Sequence, residues 1–280
     1  MASPTEGDPT GSSLPAPGPR RYLPSQPQIL RALTLTQNTS ALVFSVFLVP
    51  HLASPIVAVV GGLEGADKTM MIARDLYLPL EPVLIYLPLA LHLLSSVTRR
   101  LVLLSSSTST SSFRSRLPRQ IHQILGYPLA ILVSTHILTH RLIPSLSTPP
   151  ISNLSPSELG WEFVGYNLRY TSAWATYLFL IGAGVWHSTV GGMKIVSWLR
   201  GPKSSPSKAV AEVDQKEKKE VKRTVSWRRK LGLRGLVVAF LGVISIGLAR
   251  VSADTGPISS VMLKRYDAVF AQASWANYFR

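Results

Sequence analysis

Five long apolar stretches, separated by four connections of which two are strongly basic, dominate this sequence of 280 residues. Each stretch approaches or exceeds the ~20 residues that an α-helix needs to cross the hydrocarbon core of a bilayer. Prolines fall within them, and membrane helices accommodate prolines when neighbouring helices satisfy the freed carbonyls. The pattern predicts an all-α membrane protein with five transmembrane helices in a bundle. The predicted spans are residues 40–62, 76–97, 121–143, 172–199 and 231–251.

The segments outside these spans divide the rest of the chain. Residues 1–39 are rich in Pro, Ser and Gly, which predicts a disordered N-terminal tail. Residues 200–230 form a basic loop, and residues 253–280 form a C-terminal tail. The fifth span is the weakest of the set, because Arg234 and Arg250 bracket its uncharged part and must snorkel to the interfaces.

The charges sort strongly when five spans are assumed. One side then carries 21 of the 29 Lys and Arg residues and six acidic residues, which accounts for the whole net charge of +15. The opposite side carries eight basic and eight acidic residues and has no net charge. This asymmetry is typical of the positive-inside bias and places the N-terminus with the basic loop, on the cytosolic side.

The basic loop within residues 209–234 has two interpretations, which stay open at this point. Its Lys and Arg residues can bind anionic lipid headgroups, each contributing about 1 kcal/mol. Alternatively, they set the topology and remain solvated. Nucleic-acid binding is not expected, because no aromatic-interleaved module accompanies the charge.

The histidines are concentrated in the membrane region, where polar side chains usually have a function and face the bundle interior. A rise of about 1.5 Å per residue places His92 and His187 toward the basic side, and His51 and His136 deeper. One histidine from each of four helices, at two levels, is the arrangement that axial ligation of haem b requires. The six histidines, all in or at the edge of spans, are His51, His92, His122, His136, His140 and His187.

The pairs expected to ligate haem are His92 with His187 and His51 with His136. His122 and His140 lie near the ends of the third span and are predicted to be interfacial. The alternative is that neutral histidines hydrogen-bond between helices without any cofactor. The sequence leaves both interpretations open.

No enzymatic constellation is present in the sequence. There is no cysteine, and no HExxH, GxSxG or phosphate-binding loop motif occurs. Glu81 is the single acidic residue inside a predicted span. These observations predict a protein that is not an enzyme and has no metal centre built from thiolates.

Several motifs carry a resemblance to known families. They are TSALVFSVFLVPHLASP in the first span, GYPLAILVSTHILTHR in the third, and WHSTVGGMK in the fourth. The layout resembles the haem-b cytochrome anchors of succinate dehydrogenase and fumarate reductase. The whole chain most resembles a fungal mitochondrial outer-membrane adaptor family with such an anchor. Members of that family recruit a bridge-like lipid-transfer protein of the vacuolar protein sorting thirteen family.

The resemblance implies a docking site in the tail. In that family a Pro-x-Pro motif binds the lipid-transfer protein, and the matching segment here is SLPAPGPRRYLP. Two overlapping frames fit, Pro15 with Pro17 and Pro17 with Pro19. A polyproline II segment is already ordered before it binds, which suits a ligand. The expected function is therefore a receptor at membrane contact sites, with a haem-b electron-transfer anchor as the alternative.

Overall fold

The computed structural model describes residues 24–105, 120–201 and 215–273, with side chains in the last segment described from residue 231 onward. Every element in these described ranges is helical, and they contain no strand. The helices are α1 Gln26–Tyr77, α2 Leu87–Ser105, α3 Ile121–Ile137, α4 Trp161–Asn167, α5 Thr171–Leu199, α6 Gln215–Asp254 and α7 Ser260–Gln272. A short 3-10 turn and a π-helical turn (Pro82–Tyr86) join α1 to α2, and a second π-helical turn (Leu138–Leu142) extends α3.

Helix α1 begins well before the first predicted span. Ser25 forms a capping box with Gln28, whose side chain accepts from the Ser25 backbone N–H at 2.8 Å. Pro27 lies in the first turn, where its missing N–H costs nothing. The predicted disordered tail is therefore too long, because residues 26–39 are already helical.

Gly62 reverses the direction of α1. Its backbone has φ 60° and ψ −156°, a conformation that side-chain-bearing residues rarely adopt. Residues 63–77 fold back along residues 47–61, so that the Ser54 hydroxyl donates to the Ala66 carbonyl at 2.6 Å. The rings of Phe47 and Tyr77 also meet, with centroids 4.8 Å apart. The connection expected between the first two spans is thus helical and packed, because the reversal needs one glycine rather than a loop.

The helices pack in neighbouring pairs. Helix α1 packs closely against α2 and α6, α3 packs against α5, and α5 packs against α6. The Gly247 backbone lies so close to the Pro55 carbonyl that a Cβ there would overlap it. At the far end of the same contact, Asp254 accepts from the Leu63 backbone N–H at 3.2 Å. Helix α6 therefore runs parallel to the first arm of α1, and its N-terminal end shares the side of the α1 N-terminus.

Four helical segments within the described residues are long and apolar enough to cross a membrane. They are Gln26–Leu80, Pro82–Ser105, Ile121–Leu142 and Leu231–Asp254. Helix α5 has 29 residues and lies in the bundle, yet it is not one of the four. Its glycines, tryptophans and His187 make it less apolar than the others. The structure thus confirms an all-helical multi-pass architecture, while the count of five spans stays a prediction.

The end of the molecule opposite the α1 N-terminus carries a compact cap. It combines the connection before α4, α4 itself and α7, and its core contains Ile151, Phe163, Tyr266 and Phe270. The predicted C-terminal tail is therefore wrong for residues 260–272, which form α7. Their apolar side chains bury against the cap, so this segment folds onto the protein instead of extending from it.

One ion pair ties α7 to the rest of the cap. Arg265 pairs with Glu158 and also donates to the Ile151 carbonyl at 2.9 Å. The backbone N–H of Ser155 donates to the other Glu158 carboxylate oxygen at 2.8 Å. This backbone hydrogen bond, together with Arg265, lowers the pKa of Glu158 below its usual value of 4.5.

Candidate functional site

The structure brings His92 of α2 and His187 of α5 together near the basic end of the bundle. Their ring centroids are 6.1 Å apart and the ring planes are nearly perpendicular, at 82°. With metal–nitrogen bonds of about 2 Å, two imidazoles on one metal ion have centroids about 6 Å apart. The first pair predicted from the sequence therefore has the separation that a shared axial metal requires.

Backbone carbonyls fix the orientation of both rings in this pair. His92 Nδ1 lies 3.1 Å from the Gln37 carbonyl oxygen, and His187 Nδ1 lies 2.9 Å from the His122 carbonyl oxygen. A carbonyl accepts, so each Nδ1 is the donor and the neutral ring keeps its lone pair on Nε2. Metal-ligating histidines are commonly held in this way.

The second predicted pair, His51 of α1 and His136 of α3, lies deeper in the bundle. Its ring centroids are 6.0 Å apart at an angle of 75°. Here the orientation is less restrained, because His51 Nδ1 is buried and has no hydrogen-bond partner among the described residues. The second pair has the separation for a shared ligand but lacks the carbonyl contacts of the first.

His122 and His140, which were predicted to be interfacial, each contact one of the histidine pairs. The ring of His122 stacks on His187, with centroids 5.1 Å apart and planes 6° from parallel. The ring of His140 stacks on His136 at 4.2 Å, and its Nε2 lies 2.7 Å from the Tyr177 hydroxyl oxygen. Each pair is therefore part of a group of three histidines, because neighbouring helical turns bring His122 and His140 inward.

The helices of each pair, α2 with α5 and α1 with α3, are not among the closely packed ones, whereas α1–α2 and α3–α5 are. Glycines surround His187: a Cβ at Gly126 would touch its ring at 3.4 Å, and Gly182 and Gly191 face open space. No group of three or more His, Cys, Asp or Glu residues in the described parts of the chain can hold a metal ion by itself. His92 and His187 thus offer two imidazole nitrogens, which is the number of axial ligands of a haem and fewer than a bare metal ion usually takes.

An ion pair between Glu81 and Arg141 lies farther from the basic end of the bundle than His51 and His136. Glu81 receives two hydrogen bonds of 2.7 Å from Arg141, and the Tyr86 hydroxyl donates to it at 2.9 Å. Glu81 is recognisable from the sequence as an acidic residue inside a predicted span. No pattern near it in the sequence indicates that Arg141 is its partner. Tyr177 and Gln37, which contact the histidines, were missed for the same reason, since their roles arise from contacts between distant helices.

The tail residues Pro15, Pro17 and Pro19 lie outside the residues that the structure describes. Their role as a docking site therefore stays a prediction. The first described helix begins at Gln26, seven residues after Pro19.

The helical bundle, with its apolar outer surface and inward histidines, defines a polytopic α-helical membrane protein. Residues 131–249 match the family model described as MDM10-complementing protein 1, transmembrane domain. The match begins within α3, covers α4 and α5 completely and most of α6, and fits a mitochondrial membrane protein. No curated protein and no solved structure matches the chain.

Proposed function

We propose that the protein is a receptor in the mitochondrial outer membrane that recruits a bridge-like lipid-transfer protein of the vacuolar protein sorting thirteen family. Its N-terminal tail faces the cytosol and binds this partner at membrane contact sites, without an enzymatic step. The observation that carries the proposal is the match of residues 131–249 to the transmembrane domain of MDM10-complementing protein 1. The Pro-x-Pro motifs of the tail supply the docking element.

The geometry of α1 suits this role. Residues 26–39 precede the predicted first span and belong to the same helix, so the chain leaves the tail as ordered backbone. The Gln37 side chain donates to Ser96 of α2 at 2.9 Å, so α2 braces this extension. The docking motif is therefore followed closely in the sequence by a helix that contacts α2.

Substitution of the tail prolines tests the proposal. The triple variant Pro15→Ala, Pro17→Ala, Pro19→Ala should lose co-precipitation of the lipid-transfer protein while membrane insertion is unchanged. Pro4→Ala with Pro9→Ala is the matched control, because it removes tail prolines outside both frames. Pro15→Ala alone and Pro19→Ala alone separate the frames. Recruitment that survives the triple substitution would refute docking at this site.

The histidine geometry favours a second candidate function, a haem-b anchor in quinone-linked electron transfer. His92 and His187 would hold the haem through Nε2, and His51 with His136 would hold a second one. A bound haem would supply one-electron redox chemistry at the level of the paired histidines. The chain itself contributes the carbonyl contacts of Gln37 and His122, which orient the first pair before any ligand binds.

The visible spectrum of the purified protein distinguishes the two candidates. Protein expressed with ample haem should show a Soret band if the second candidate is correct. A colourless protein would rule out the haem-b anchor and would leave the receptor proposal unaffected. Conversely, a haem band together with unimpaired recruitment by the proline variant would favour the anchor over the receptor.

A further inference from the structure

Two cations from different helices converge at the basic end of the bundle. Arg99 lies near the end of α2, and Lys194 lies on α5 opposite the start of α3. Each lies seven residues, about two helical turns, after a member of the contacting His92–His187 pair, so the two cations extend from neighbouring helix positions. All four ion pairs that the structure shows among the described residues lie away from this end, at Glu64, Glu81, Asp254 and Glu158. Among the side chains that the structure describes, neither cation is paired with a carboxylate.

The Lys194 ammonium is positioned by neutral groups. It donates to the Gln120 side-chain oxygen at 2.7 Å and lies 3.5 Å from His122 Nε2. An ammonium has three N–H donors and no acceptor. These two contacts hold the nitrogen in place and leave a donor for a ligand.

The Arg99 guanidinium has unused hydrogen-bonding capacity. Its Nε is buried and has no hydrogen-bond partner among the described residues. A buried donor without a partner costs free energy that an acceptor would recover. An oxyanion between Arg99 and Lys194 would supply that acceptor and relieve the repulsion between the two cations.

The surface beside Lys194 has room for more than a small ion. Gly191 and Gly192 precede Lys194 on α5, and a Cβ at either position would meet nothing within 4 Å. Met193, on the same turn, has an exposed side chain. The glycines therefore leave open space on α5 within one turn of Lys194, where an acyl chain can lie.

We propose that Arg99 and Lys194 form a binding site for the phosphate of an anionic phospholipid headgroup in the leaflet on the basic side. The guanidinium and the ammonium hold the phosphate oxygens, Gln120 and His122 fix the ammonium, and the acyl chains extend past Gly191. The site differs from the basic loop because its two cations are ordered by the bundle. It is independent of the tail and of haem binding.

Lipid binding to the purified full-length protein tests this site. Native mass spectrometry would follow titration with phosphatidic acid and, separately, with phosphatidylcholine. Arg99→Gln and Lys194→Gln should each weaken phosphatidic acid binding about fivefold, as expected for one basic residue at a membrane surface. The double variant should lose the preference for phosphatidic acid over phosphatidylcholine. Retained helical content and thermal midpoint would show that the variants are folded.

Two controls distinguish this site from general electrostatic attraction and from binding of phosphate alone. Arg200→Gln removes one charge from the exposed end of α5, outside the site, and should change the affinity by less than about twofold because salt screens exposed charges at a distance. Inorganic phosphate at the same concentration as the lipid should not displace it, because the acyl chains contribute to binding. An unchanged preference in the double variant, an equal loss in Arg200→Gln, or displacement by inorganic phosphate would each overturn the proposal.

Discussion

The indole N–H of Trp161 donates to the Ser54 hydroxyl oxygen at 2.5 Å, and both residues are buried. The same hydroxyl donates to the Ala66 carbonyl across the reversal of α1. One serine thus joins both arms of α1 to α4 in the cap. The Trp161 backbone N–H adds a second link, because it donates to Asp67 at 2.6 Å.

Ser54→Ala should lower the stability of the cap. The substitution leaves the Trp161 N–H buried without a partner, which costs about 1–3 kcal/mol. Thermal unfolding in detergent, followed by tryptophan fluorescence, would measure the loss. Ser45→Ala is the control, because the Ser45 hydroxyl bonds only to the Leu42 carbonyl of its own helix. Equal midpoints for the two variants would contradict the role of Ser54.

Gly62→Ala should disrupt the reversal of α1. A Cβ at this position would overlap the Asp254 carboxylate, and the positive φ adds about 1 kcal/mol of strain. We expect a clear fall in thermal midpoint together with weaker contact between α1 and α6. Gly61→Ala serves as the matched control, since its Cβ would meet the nearest atom at an ordinary 3.6 Å. A Gly62→Ala protein as stable as Gly61→Ala would show that the reversal tolerates a side chain.

The cap should loosen in acid because of Glu158. The pKa of this carboxyl is lowered in the folded state, so its contribution is present above the usual value of 4.5. The contribution is lost as the pH falls through the lowered pKa. Glu158→Gln should therefore reduce the thermal midpoint at neutral pH and flatten its decline in acid. Glu162→Gln removes the same charge from α4 and should keep the decline; identical profiles for both variants would exclude Glu158 as the cause.

The two ends of the bundle should lie on opposite sides of the membrane. Helix α6 runs parallel to the first arm of α1, so a tag at Lys216 and a tag at the N-terminus should share one accessibility. A tag after Arg280 should lie on the other side, because α7 packs into the cap. Protease protection in intact mitochondria measures all three. Equal accessibility of both termini would contradict an odd number of crossings.

The histidine pairs should respond as units if haem is bound. His92→Ala and His187→Ala should remove the same spectral component, and the double variant should be no worse than either single one. His122→Ala keeps the backbone carbonyl that His187 Nδ1 contacts, so it should keep the band. Independent, additive losses averaging about 0.6 kcal/mol of stability would instead indicate simple hydrogen bonds between helices.

Hydropathy and helical rise predicted much of the bundle. The apolar stretches became helices, and an estimate of depth correctly placed His92 with His187 and His51 with His136. Both results depend on properties that vary regularly along a helix. The depth estimate gave no indication that His122 and His140 contact these pairs, because it describes position along a helix and not the direction in which a side chain points.

The cap could not be predicted from local sequence. Ile151 and Phe163 are buried by α7, more than a hundred residues further along the chain, so no periodic pattern marks them. The reversal at Gly62 was hidden in a similar way. A glycine at the end of an apolar stretch is equally typical of an ordinary loop. The contact that accompanies the reversal comes from Asp254, far away in sequence, which accepts from the Leu63 backbone N–H.

The parallel contact between α1 and α6 determines how the anchor responds to mechanical force. A pull on the N-terminal tail enters α1 along its axis at Gln26. Gly247 packs on Pro55, and Asp254 accepts from the Leu63 backbone N–H. That pull therefore acts parallel to the contact surface between the two helices and loads it in shear. Contacts loaded in shear yield together, whereas contacts that are peeled yield one after another. A pull applied to the N-terminus would therefore be shared by the contacts between α1 and α6.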